Sequence, residues 1–158
     1  MAICSMLMAC GKTQPQRPTF KNRPQAADST VVALVEVNQR MAADADSRLA
    51  RYATEDYALQ EEGYWVSGLH DIETGFSDST QVCVRMQVYD TEGNLYEDRH
   101  ETFCVGKTGD MRVLDPVLRQ LHRGDSVSIL APWYMAYGSL GSQVVPPYTN
   151  VRIELRVL

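Results

Sequence analysis

Apolar residues recur at positions 31, 34, 35, 41, 42, 45, 49 and 52, the spacing of one face of a 3.6-residue repeat. Glu36, Arg40, Asp44, Arg48 and Arg51 fall largely outside that face, and Asp28-Ser29-Thr30 offers N-cap side chains ahead of it. The pattern predicts helix over residues 29–59, with a break near Ala43-Asp44, stopped by Gly63. From Tyr64-Trp65-Val66 onward the period becomes that of strands. Gln81 to Tyr89 puts Val82, Val84, Met86 and Val88 on one face. Asp90 to Asn94 is turn chemistry, with Gly93-Asn94 suited to positive φ, and Leu95 to Val105 returns as a second strand. Asp115 to Leu121 reads as a short helix with Pro116 in its first turn and Val117, Leu118 and Leu121 as its apolar side. Val127 to Ala131 and Val151 to Leu158 complete the strands, the last with Val151, Ile153, Leu155 and Val157 on one face. The fold expected is α+β: an antiparallel sheet with one short helix packed across it, preceded by a helical segment.

The chain has 158 residues, 44% hydrophobic and 22% charged, a globular composition. Its net charge is −5 and no two Lys or Arg are adjacent. No basic stripe is available to neutralise phosphates, which excludes nucleic acid as a partner. His70, His100 and His122 share no ligand spacing, so neither a metal nor a cofactor is expected.

Residues 1–10 carry no charge, and a polar, Pro-rich stretch follows from Thr13 to Pro24. The run is too short for a bilayer span, which takes about 20 residues. Leu7-Met8-Ala9-Cys10 resembles the bacterial lipobox. That resemblance implies removal of residues 1–9, a lipid on Cys10, a tether over 10–28, and a place on the bacterial cell envelope facing the periplasm or exterior. The plain alternative is a tail with an incidental cysteine. In the folded part, Cys83 and Cys104 admit two readings, a bond across an antiparallel pair or, favoured here, two small buried hydrophobes.

Three features near the end are distinctive in this order: Gly124-Asp125 before a strand, Ala136-Tyr137-Gly138, and Val145-Pro146-Pro147 before a terminal strand. Together they resemble the C-terminal half of the FKBP-type peptidyl-prolyl cis-trans isomerases. Glu92 to Asp98 is similar to that family's hairpin and Phe103-Cys104-Val105-Gly106 to its Phe-x-Leu-Gly strand end, so the likeness covers about residues 64–158. The helical part, 29–60, resembles the extension of lipoprotein members, including gliding-motility-associated ones. The likeness implies a half-barrel sheet wrapped on one short helix and a folding catalyst for X-Pro bonds of envelope proteins. The helices would offer a surface for pairing two copies.

Carried over position by position, the resemblance implies a pocket of Tyr96, Glu97, Phe103, Met111, Leu114, Tyr137, Val145 and Ile153. The Tyr137 hydroxyl and the Met111 backbone N–H would donate to the substrate, and Leu114 would lie under the proline ring. No nucleophile or proton relay is needed. The barrier is loss of amide resonance, near 18–20 kcal/mol, and a twisted amide is less polar than a planar one. An apolar, water-poor pocket therefore favours the twisted form. The family's aromatics at three positions are Met86, Leu114 and Ile153 here, and either Glu101 or Phe103 takes the next. The pocket keeps its apolar character and loses aromatic surface, so weak inhibitor binding and modest catalysis are expected. Two rivals stand beside the isomerase: a non-catalytic FKBP-like binding or chaperone module, and a structural lipoprotein that dimerises through its helices. The enzyme reading requires Tyr137, Met111 and Leu114 around a common hollow.

Overall fold

A computed structural model describes residues 29–69, 75–109 and 111–158. The expected leader 1–9, Cys10, the tether 10–28 and His70 lie outside the described residues. The first element is one continuous helix, α1, Ser29–Tyr52. The break expected near Ala43-Asp44 is absent. Ala43 is a strong helix former, and Arg48 pairs with Asp44 at 2.9 Å across the position. The helix also ends earlier than expected. Ala53 N–H closes the last turn on Leu49 O, Tyr57 N–H turns back to Thr54 O, and Ala58–Leu59 becomes the edge strand β1 instead. Residues 30–40 are exposed, whereas Ala45 and Leu49 are buried. Leu49 forms a small core with Trp65 and Leu130, against which Tyr52, Ala53 and Tyr57 pack.

The other strands are β2 (Trp65–Ser67), β3 (Gln81–Tyr89), β4 (Leu95–Cys104), β5 (Ser126–Ala131) and β6 (Val151–Val157). They form one sheet in the order β1-β2-β5-β6-β3-β4, every neighbouring pair antiparallel. The alternation read from the sequence holds: Val82, Val84, Met86 and Val88 of β3 are buried, as are Val151, Ile153, Leu155 and Val157 of β6. These residues share one core with Leu114, Val117 and Leu118 of the short helix α2, Leu114–Leu118. That helix is shorter than the Asp115–Leu121 expected. After Leu118 the chain tightens, with Gln120 N–H bonding Val117 O and Leu121 N–H bonding Leu118 O, the i→i+3 pattern of a 3₁₀ turn. Leu121 stays in the core all the same. The architecture is the expected α+β half-barrel.

Cys83 and Cys104 fit neither reading. Both are free; Cys83 is exposed and Cys104 half-buried. In register Cys83 faces Thr102 and Cys104 faces Gln81, which makes the two cysteines diagonal neighbours. Diagonal positions lie about 7–8 Å apart, beyond the usual reach of a disulfide.

Candidate functional site

The β3–β4 hairpin presents two of the expected residues. The Asp90 carboxylate fastens its turn by accepting from Glu92 N–H, Asn94 N–H and Asn94 Nδ2, each at 2.8 Å, and Gly93 takes φ +94°. A register irregularity at Val88/Tyr89 follows, and Glu97 then faces Val88, which faces Ile153 on β6. Residues that face each other across strands share a side of the sheet. Glu97, Arg99 and Glu101, opposite buried Val88, Met86 and Val84, therefore lie on the core side.

The floor comes from the segment entering α2. Asp115 accepts from Gly106 N–H at 2.8 Å, and Thr108 Oγ1 donates to Met111 O at 3.2 Å. The Met111 N–H, expected to be a donor to substrate, has no partner among the described residues. Opposite the floor runs the connection from β5 to β6. It opens with a 3₁₀ turn, Trp133–Met135, which the periodicity does not reveal. Val113 N–H donates to Met135 O at 3.1 Å and ties this turn to the floor. Gly138, at φ +68°, donates to Trp133 O at 2.8 Å and accepts from Tyr148 N–H at 3.1 Å. Tyr137 is thereby held at the bend of the connection.

The Tyr137 hydroxyl donates to Glu97 Oε2 at 3.0 Å, and Ser142 Oγ stands 3.5 Å from Glu97 Oε1. Arg99 bridges Glu97 at 3.3 Å and Glu101 at 2.9 Å. Burial and then the Glu97 carboxylate push the Tyr137 hydroxyl above the usual tyrosine range, so it remains a neutral donor at any physiological pH. Glu97 is confined, its side chain 12% exposed. Glu97 and Tyr137, both expected in the pocket, thus meet in a direct hydrogen bond that the sequence does not reveal.

Tyr96, Phe103, Met111, Leu114, Tyr137, Val145 and Ile153 all belong to one apolar cluster, with Glu97 joined through its bond to Tyr137. Phe103 stands apart within it. It faces Val82, six residues along β4 from Glu97, or about 20 Å at a strand's rise. Glu101, opposite Val84, lies between them on the same side of the sheet. Two hollows flank the Tyr137–Glu97 contact. One, about 470 Å³, is lined by Arg112, Trp133, Tyr134, Ala136, Tyr137 and the turn up to Gly141. The other, about 400 Å³, is lined by Tyr96, Glu97, Asp98, Arg99 and Ser142 to Val144. Neither is lined by Met111, Leu114, Val145 or Ile153. Leu114, Val145 and Ile153 have no exposed surface and Met111 has 6%. The common hollow of Tyr137, Met111 and Leu114 that the enzyme reading requires is not found in either cavity: the three share one apolar cluster, but Met111 and Leu114 are buried in it rather than lining a space.

No model of a known protein family matches the sequence, and no curated protein sequence does. Solved structures do match the fold. FkpA from Escherichia coli superposes with a TM-score of 0.59 at 18% identity, over 85% of this chain and 68% of that one. A peptidyl-prolyl cis-trans isomerase from Pseudomonas syringae pv. tomato gives 0.59 at 16% identity, over 76% and 92%. The N-terminal domain of FKBP42 from Arabidopsis thaliana gives 0.57 at 16% identity, over 66% and 91%. At these identities the likeness is one of architecture. The six-stranded antiparallel sheet, its short helix and the long connection bearing Tyr137 make up an FKBP-like fold.

Proposed function

We propose that this chain is a peptidyl-prolyl cis-trans isomerase acting on X-Pro bonds of envelope proteins at the site around Tyr137, which has to open to admit a prolyl ring. One observation carries the reading. Tyr96 and Glu97 from β4, Met111 and Leu114 from the floor, Tyr137 and Val145 from the connection and Ile153 from β6 converge on one apolar cluster with one aimed hydroxyl. Such a cluster stabilises a twisted, less polar amide over a planar one. The unpartnered Met111 N–H supplies a second donor for a flanking carbonyl. Because Leu114 and Ile153 have no exposed surface, a prolyl ring meets them only after the side chains above them move. That opening costs binding energy, so turnover is modest. A proline-switch peptide assay on the full chain tests the reading. Wild type accelerates isomerisation, and Tyr137→Phe and Leu114→Ala each lower kcat/KM by about tenfold, the worth of one lost hydrogen bond or apolar contact. No acceleration by wild type rejects it.

The buried floor and the carboxylate of Glu101 on the core side of β4 favour a second reading, a non-catalytic module that grips partner segments at the same site. It predicts saturable binding of Pro-containing peptides with no gain in rate.

The envelope location rests on Cys10. Mass spectrometry of the mature N-terminus from membranes would find a diacylglyceryl-modified Cys10; an unmodified Met1 would reject anchoring. Among the described residues no helix is long and apolar enough to cross a membrane.

A further inference from the structure

The base of the Tyr137 connection is held by a second element, far away in sequence. Tyr134 Oη donates to Asp46 Oδ1 of α1 at 2.6 Å. Asn150, where the connection rejoins the sheet, uses both ends of its amide. Its Oδ1 accepts from Trp133 N–H at 3.1 Å, and its Nδ2 donates to Ala45 O at 3.2 Å. The Trp133 ring packs edge-on against Tyr134 at 5.6 Å and Tyr148 at 4.9 Å. Residues 45 and 46 of α1 therefore hold the first two residues of the turn Trp133-Tyr134-Met135, Asp46 directly at Tyr134 and Ala45 through Asn150 at Trp133. Gly138 N–H bonds Trp133 O directly, so displacing that turn moves Tyr137 relative to Glu97.

We infer that α1 is a positioning element for the prolyl site, and that Asp46, Tyr134 and Asn150 are its positioning residues. This rests on the isomerase reading for its effect on rate, but not for its effect on loop geometry. α1 is suited to the task because its purchase on the domain is local. Ala45 and Leu49 are buried while residues 30–40 are exposed. The polar clamp is what orients that contact: apolar burial is non-directional, whereas hydrogen bonds to a carboxylate are directional and among the stronger ones. The alternative, a purely structural clamp, would change stability and leave the site untouched.

Two readouts on the full chain separate these cases. The first is the NMR signals of the Ala136 methyl, the Gly138 amide and the Tyr137 ring, which report geometry whether or not the protein is a catalyst. The second is the proline-switch rate. Tyr134→Phe, Asp46→Ala and Asn150→Ala are expected to shift all three signals and to lower kcat/KM by about three- to tenfold through kcat, a typical range for one misplaced hydrogen bond. Asp46→Asn keeps an acceptor oxygen and restores both signals and rate. Asp46→Ala and Tyr134→Phe combined cost no more than either alone, since they remove one bond. Unshifted signals in Tyr134→Phe and Asn150→Ala overturn the inference, as does an unchanged or increased rate in these variants when the wild type is active. Should wild type be inactive while the signals shift, the isomerase reading fails and the coupling of α1 to the loop stands.

Discussion

At the scale of residues, the site turns on groups whose partners are distant in sequence. Tyr137 stands out in the sequence as an aromatic between Ala136 and Gly138 in a connection rich in Gly and Pro, and its ring packs against the main apolar cluster. Its partner was not legible. Glu97 is 40 residues away, and only the β3–β4 register together with the bend at Gly138 brings the two within bonding distance. The Asp46–Tyr134 bond, across 88 residues, was hidden for the same reason. Phe103 shares the apolar cluster with Tyr96 but stands at the far end of β4, opposite Val82, a separation that the resemblance alone does not convey. Three of the four raised tyrosines, Tyr64, Tyr134 and Tyr137, are at least partly buried and have a measurable consequence. Burial leads in raising Tyr64 to about 12, and it also leads in raising Tyr134 and Tyr137 above the usual range. Their contribution to stability is complete below the unfolded value near 10. It declines as pH rises beyond it, because the unfolded chain then releases protons that the folded chain retains. Thermal unfolding between pH 8 and 11 should show this alkaline loss, and a Tyr134→Phe/Tyr137→Phe chain should show a shallower one. Identical pH profiles would contradict the assignment.

At the scale of elements, periodicity recovered most of the strands and the existence of both helices, because each element's apolar face is set by its own repeat. It misjudged ends and continuity, which depend on neighbours. Ala58 and Leu59 leave the helical pattern because β2 offers them backbone partners, facing Val66 and Trp65. The helical face itself has two fates. Ala45 and Leu49 are buried on the domain, while Val31, Leu34 and Val35, on the same face by a 3.6-residue repeat, are exposed at 54%, 59% and 49%. Leu49→Ala should therefore cost about 2–4 kcal/mol, as expected for a fully buried leucine. Leu34→Ala should change stability by no more than about 0.5 kcal/mol. Urea unfolding of the two variants measures the difference, and equal costs would show that the exposed half is covered in solution.

At the scale of the whole molecule, that exposed stripe is the surface through which we propose that two chains pair. Sedimentation equilibrium of the wild type should give twice the monomer mass, and Leu34→Glu/Val35→Glu should return it to the monomer. A monomeric wild type ends the idea.

The strand order has one more consequence. β6 lies between β5 and β3 and, among the described strands, is the one that joins the β1-β2-β5 and β3-β4 portions of the sheet. A nascent chain that has reached β5 but not residue 151 possesses the strands of both portions without the strand that hydrogen-bonds them together. Val84, Met86 and Val88, which face β6 residues in the finished sheet, would meanwhile belong to an open strand edge, the kind of surface that invites pairing with other chains. A protein proposed to help others fold must thus itself pass through synthesis with a seam left open until β6 has emerged.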